Sequence, residues 1–391
     1  MKFMPQQDDK FIKRDSSLIG RWWWTVDRYL FITVLLLIFI GILLSFSASP
    51  CIAQRIGLQR FFFVKHHLLM ILPFLFLLVF ASLLSPPNIK KLAILIFAGG
   101  VAALILTYFL GTEVKGAKRW LSIFGVSIQP SEFMKPALTV VTAWLLAEKQ
   151  IDRNFPGVNI SFILTSIFIL FLILQPDVGT SIITLASFLI QLFIAGMSLF
   201  FVVGIVIAGT IGLITSYFFI PHVAQRIDSF LRPELSDHDQ MYQIKQSLEA
   251  FHHGGWFGCG PGEGIVKRLV PDAHSDFVFS VAGEEYGLFM CIIIVFLFSF
   301  FVIRSIIKAY KSKNIFTIFA ITGIASQLGL QAFVNMATTL RLIPTKGMTM
   351  PFISYGGSSL LAVGIAVGII LSLTKKKYGF IGERDFFEEP L

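Results

Sequence analysis

Between residues 29 and 374 the chain repeats one event about ten times: a run of roughly twenty residues almost free of charge, closed by a short polar break. A bilayer's hydrocarbon core demands helices of that length, and a water-soluble fold has no place for so many of them. The windows fall at 29–48, 63–83, 91–110, 131–149, 159–175, 179–196, 199–220, 284–304, 315–335 and 353–374. They predict an all-α polytopic membrane protein of about ten transmembrane helices. A basic tail occupies 1–28, the spans and their loops 29–374, and a second tail 375–391. A mean hydropathy of +0.78 with only 14% charged residues agrees.

An even number of spans puts both chain ends on one side. The N-terminal tail, Lys90, Lys91, Lys149, Arg153, the 304–313 loop and the run 375–377 share that side, which the positive-inside rule makes cytoplasmic. Outer cations exist too, at Arg55, Arg60, Lys65, Lys115, Lys118, Arg119, Arg341 and Lys346, so orientation rests on the balance. The net charge of +9 is spread over short loops and tails instead of one stripe, which argues against a nucleic-acid partner. Cys51, Cys259 and Cys291 show no zinc-ligand spacing, and free thiols suit them better than a disulfide framework. The SASP after the first apolar run could serve signal peptidase, but that run is too long for a signal sequence and reads as an uncleaved span.

One extracytoplasmic loop, 221–283 between spans seven and eight, is large enough to carry a water-facing active site. Within it Met241, Ile244, Leu248 and Phe251 form an apolar helical stripe that Gly254 and Gly255 end, predicting an amphipathic helix at the outer membrane surface. GGWFGCGPGEG follows at 254–264. No GK[ST] comes after it, so it reads as a bent connector and not a phosphate loop.

The stretch VPDAHSDFVF at 270–279 places Asp272, His274 and Asp276 at the mouth of span eight. Asp276 sits among hydrophobic neighbours, where a carboxylate is costly unless used or paired; desolvation there would suit it to accept protons. Glu284 and Glu285 open span eight either as acid–base groups or as complements to a helix N-terminus. In 115–138, Lys118 and Arg119 flank the interface anchor Trp120 and could clamp a polyanion or lipid head groups. Glu132 and Lys135, one helical turn apart in span four, are placed to pair with each other. Asp177 in QPDVG lies in a turn or lines a cavity. Finally, 341–361 replaces apolar sequence with Pro, Gly and Ser at membrane depth, which is tolerated where backbone is buried in protein or lines a wet cavity. Arg341, Lys346 and the start of span ten near Ser358 would suit an anion.

GAKRWL with IQPSEFMKPAL, QPDVGT, GCGPGEGIVKRLVPDAHSDFVFSVAGEEYG and PTKGMTMPFISYGGSSLL stand in this order within residues 111–361. Together they resemble the SEDS (shape, elongation, division and sporulation) family, and within it the cell-division branch more than the elongation branch. Ser275 and Val270 depart from the commoner Thr and Leu without removing a reactive group. The resemblance implies a peptidoglycan glycosyltransferase that polymerises lipid II at the outer face of the bacterial cytoplasmic membrane, at the septum. Its essential loop aspartate falls on Asp276, and further substrate-site positions fall on Lys118, Arg119, Glu132, Lys135, Asp177, His274, Glu285, Lys346, Ser354 and Ser358. It also implies a divalent metal (magnesium or manganese), a class B penicillin-binding transpeptidase partner and divisome activators. A lipid II flippase, a noncatalytic scaffold and an elongation polymerase are the competing readings.

Overall fold

The computed structural model describes residues 18–114, 117–123, 126–219, 223–224, 227–228, 230, 238–344 and 347–375. Each predicted window forms a helix. A short α1 (Leu18–Thr25) leads into α2 (Arg28–Arg55), α3 (Phe62–Leu83) and α4 (Pro86–Leu110). After a small sheet come α5 (Pro130–Ile151), α6 (Gly157–Leu174), α7 (Val178–Ile194) and α8 (Leu199–Phe219). Then follow α9 (His238–Gly254), α10 (Val278–Tyr310), α11 (Ile315–Thr339) and α12 (Gly357–Leu373). Among the described residues, seven helices are long and apolar enough to cross a membrane, and α7 and α12 are shorter apolar helices.

One helix departs from the others. α5 carries Glu132, Lys135, Thr139 and Thr142, yet it is buried on nearly every face, packed by α4, α6, α7, α11 and α12. A helix buried all round belongs at the centre of a bundle. Its polar side chains are therefore satisfied by neighbouring helices and not by lipid or water. Thr139 and Thr142 donate to Gln327 and Gln191, and Gln191 donates on to the carbonyls of Thr139 and Phe319. α8 lies at the opposite extreme, at the edge of the bundle against α7.

Four local features differ from the sequence expectation. The α4–α5 connection contains an antiparallel meander, β1 (Thr112–Val114), β2 (Ala117–Ile123) and β3 (Val126–Ile128), with Glu113 opposite Lys118 and Leu121 opposite Ile128. Strand-favouring residues alternate there only briefly, too few to signal a sheet. α2 runs seven residues past its window, through SASP with Pro50 inside the helix, and Arg55 donates to the carbonyl of Arg268. The surface helix α9 lies against α10 through Ile244, Ser247 and Phe251, whereas Leu248 faces outward. Span eight begins six residues before its window and bends at Gly287, which takes φ +72°.

That bend accounts for the glycine-rich connector. A helix break at membrane depth frees backbone groups that must find partners. Here the connector supplies them: Cys259 and Gly260 N–H donate to the carbonyls of Glu284 and Glu285, and Leu288 and Phe289 N–H donate to those of Gly255 and Trp256. A Cβ on Gly287 would lie 2.4 Å from the Trp256 carbonyl oxygen, so only glycine permits the approach.

Candidate functional site

The turn that carries Asp276 is set by Asp272. With φ +52°, Asp272 aims its carbonyl back at the chain, and it accepts from the N–H groups of Ser275 (3.0 Å), Asp276 (3.1 Å) and Phe277 (3.4 Å). Aspartate adopts that left-handed conformation more readily than most residues. The turn leaves Asp276 half-buried, with its carboxylate over the backbone of Gly347: a Cβ there would meet Oδ2 at 2.6 Å. Asn335 on α11 fixes the same point from below, donating through Nδ2 to the carbonyls of Asp276 (2.9 Å) and Met348 (2.6 Å).

Residues 347–356 close the other side of this shelf. Ser354 donates to the carbonyl of Ser275 and accepts from Met350 N–H, and Tyr355 N–H donates to the carbonyl of His274 at 2.9 Å. The His274 ring packs on Phe63 (4.3 Å between centroids) and Tyr355 (5.4 Å). Phe352 holds φ +67° in a buried turn of this segment and packs on Phe298 and Phe301 of α10.

Behind the shelf runs a charged and amide relay. Lys135 Nζ donates to Glu132 Oε1 (2.8 Å) and to Gln331 Oε1 (3.1 Å), while Gln331 Nε2 donates to the carbonyl of Thr349 (3.0 Å). The Glu132–Lys135 pair expected from spacing is thus present, and it is buried. Ser358, at the start of α12, accepts from Gln129 N–H and donates to the carbonyl of Ser127, tying the end of the sheet to this region. Asp276, His274 and Ser354 thus meet at the 347–356 segment, Lys135 and Glu132 reach the same segment through Gln331, and Ser358 is held separately by Gln129 and Ser127.

Arg119 and Asp177 form a separate group. Arg119 donates to the carbonyls of Gln175 (2.8 Å) and Pro176 (2.7 Å) and lies 4.0 Å from the Asp177 carboxylate, which also caps α7 at Thr180. Lys118, one residue earlier on β2, is exposed. Lys346 lies outside the described residues.

Glu285 stands apart from both groups. It pairs with Lys267 in the interior, and both side chains are almost wholly enclosed. Glu284 is equally buried and accepts from Val266 N–H and Lys267 N–H at 2.7 Å each, and it lies 3.1 Å from His253 Nδ1. Neither opens its span as a cap; both hold the 260s loop against α10. Lys267, Gln331 and Asn335 were not singled out by sequence. The single signal for each was a polar residue in an apolar setting, without an indication of its partner.

The sequence profile of the FtsW/RodA/SpoVE family, cell cycle proteins, matches residues 27–379. The chain belongs to this family. It is 43% identical over 380 residues to the probable peptidoglycan glycosyltransferase FtsW of Caulobacter vibrioides (strain NA1000 / CB15N), covering 96% of this chain and 97% of that one. The protein of the same name from Geobacter sp. (strain M18) is 35% identical over 358 residues, with 90% and 98% covered. Among solved structures, RodA of Thermus thermophilus superimposes with a TM-score of 0.67 at 24% identity, covering 90% of this chain and 97% of that one. A chain from a peptidoglycan synthase complex that coordinates polymerization and crosslinking gives 0.74 at 23%, with 89% and 97% covered. These structures share the fold of this chain.

Proposed function

We propose that this chain is an FtsW-type peptidoglycan glycosyltransferase that polymerises lipid II, with Asp276 as general base. One observation carries the assignment: the turn at Asp272, Asn335 and Ser354 fix the main chain that bears the half-buried Asp276 side chain, while Glu284 and Glu285 are enclosed against the 260s loop. The acceptor's 4-hydroxyl is a weak nucleophile, so a positioned base must take its proton as the new bond forms. Its oxygen attacks the anomeric carbon of the donor, the bond from that carbon to the pyrophosphate oxygen breaks, and the electron pair leaves with undecaprenyl pyrophosphate. Configuration inverts from α to β, and the proton passes to Asp276.

The departing pyrophosphate needs cations. Lys118, exposed beside the anchored Arg119, and Lys346 are the proposed contacts; Arg119, already donating to two carbonyls, positions the strand that presents Lys118. His274, Glu132, Lys135, Ser354 and Ser358 serve by shaping the site, whereas Asp177 braces Arg119 and Glu285 holds the 260s loop. A magnesium or manganese ion remains part of the proposal. Among the described residues no group of three or more His, Cys, Asp or Glu side chains is placed to hold a metal, so no step is routed through one.

Both substrates keep polyprenyl chains in lipid, which explains why a bundle of spans hosts the reaction. The match over 96% of the chain to a relative named FtsW supports the septal branch over the elongation branch, in the cytoplasmic membrane with the site outside. It also supports partnership with a class B penicillin-binding transpeptidase and divisome activators. The test is polymerisation of labelled lipid II by the protein purified with its transpeptidase, with divalent metal, comparing wild type with Asp276→Asn. Equal glycan strands from both would remove Asp276 from the role, and lipid movement in sealed vesicles without polymer from the wild type would favour a flippase.

A further inference from the structure

At the opposite end of the bundle from Asp276, the outward face of α10 forms a groove of about 400 Å³. Its chemistry changes along its length. Phe296, Phe300 and Ile303 line the part nearer the middle of the span, while Arg304, Lys308 and Lys311 line the part at the helix end, with Ile307 between them. At 1.5 Å per residue the lining runs about 22 Å along the helix. That length covers one leaflet's acyl region and its head-group layer.

The depth of the cationic end is marked independently. Asp27, at the start of α2, accepts from Arg304 Nε (2.8 Å) and from its second nitrogen (2.9 Å), and pairs with Lys308 (2.9 Å). Arg304 also stacks over Tyr29 at 4.4 Å. Just before Asp27, Trp23 and Trp24 are exposed, and the Arg28 guanidinium lies over both rings at 5.4 and 4.6 Å. Exposed tryptophans with arginine mark the plane where hydrocarbon meets head groups. Arg304, Lys308 and Lys311 therefore sit at phosphate level with apolar wall below them.

Charge decides the kind of lipid. Around this groove four cations, Arg28, Arg304, Lys308 and Lys311, face one carboxylate, Asp27, among the described residues. Asp27 is wholly occupied: burial alone would push its carboxyl up, but Arg304 and Lys308 together hold it below the ordinary value. Lys311 is exposed at the open end. We infer that the groove on α10 binds an anionic diacyl phospholipid, with one acyl chain along Phe296, Phe300 and Ile303 and the phosphate at Lys311 and Lys308. Basic recesses beside transmembrane helices take anionic head groups by this combination of apolar wall and cation. The site is separate from the polymerase shelf and does not depend on Asp276.

The full chain in detergent, analysed by native mass spectrometry with phosphatidylglycerol and phosphatidylethanolamine of matched acyl chains, tests this directly. Wild type should retain phosphatidylglycerol about fivefold or more over phosphatidylethanolamine, the discrimination one surface cation gives. Lys311→Glu should abolish the preference, and Ser299→Trp, which fills the groove from its exposed face, should reduce retention of both lipids. Because both residues face outward, thermal unfolding without lipid should be unchanged in either variant. Added phosphatidylglycerol should raise the unfolding temperature of the wild type and of neither variant. Equal retention of the two lipids, a preference surviving Lys311→Glu, or the same stabilisation by inorganic phosphate alone would overturn the inference.

Discussion

Asp276 and the Glu284–Glu285 pair stand eight residues apart in one sequence stretch and meet opposite fates. The glutamates are 0% and 1% exposed; both Glu284 oxygens accept from backbone N–H groups, and one Glu285 oxygen pairs with Lys267. Asp276 is half-buried, and its backbone, not its carboxylate, receives the bond from Asn335. Glu284 and Glu285 fix a loop from inside the bundle, whereas the fold holds the backbone of Asp276 and keeps its side chain half-buried at the shelf. Acidic residues beside a span therefore divide by their burial and by the element they hold.

The sharpest way to break that contrast is at Asp276 itself. Asp276→Asn should lower polymerisation by two to four orders of magnitude, about the contribution of a general base, with unfolding temperature unchanged. The paired glutamate should behave in reverse. Lys267→Met leaves Glu285 buried without its cation and should cost about 3–5 kcal/mol in unfolding, while Lys267→Met with Glu285→Met should recover most of it. If the double variant folds well but makes no glycan, Glu285 belongs to the reaction after all.

Smaller effects refine the shelf. Asn335→Ala removes the donor to the Asp276 and Met348 carbonyls and should lower kcat by about ten- to a hundredfold, as misplacing a catalytic group does, with KM for lipid II little changed. A change in KM alone would make Asn335 a substrate contact. Gly347→Ala places a methyl against the Asp276 carboxylate and should lower turnover by about tenfold. Cys259 reports the other side of the contrast. Loss of surrounding water, then the Glu284 and Glu285 charges, push its thiol above the ordinary value. At pH 8 its thiolate fraction is thus below that of a free cysteine, so maleimide labelling should be a few-fold slower and rise as pH increases. Labelling at the ordinary rate would overturn the raised thiol.

Much of the membrane architecture was legible because burial in lipid is imposed residue by residue. Ten windows became ten helices, and the turn of helix separating Glu132 from Lys135 was enough to foresee their pair. The sheet of 112–128 escaped notice because its strands are only three to seven residues long. The overrun of α2 escaped because SASP reads as a terminus, although Pro50 is accommodated within the helix. At the site, spacing picked out Asp276 as a carboxylate in an apolar setting but could not say what held it.

By itself the sequence determined the spans, their alternation across the membrane and the places where charge meets lipid. Hydrophobic length and local spacing are properties of neighbouring residues. The tertiary structure alone decided which charges are consumed. Lys267 reaches Glu285 across 18 positions, Asn335 reaches Asp276 across 59 and Gln331 reaches Lys135 across 196. Each bond is made by elements brought together only when the bundle closes, so no local pattern announces it.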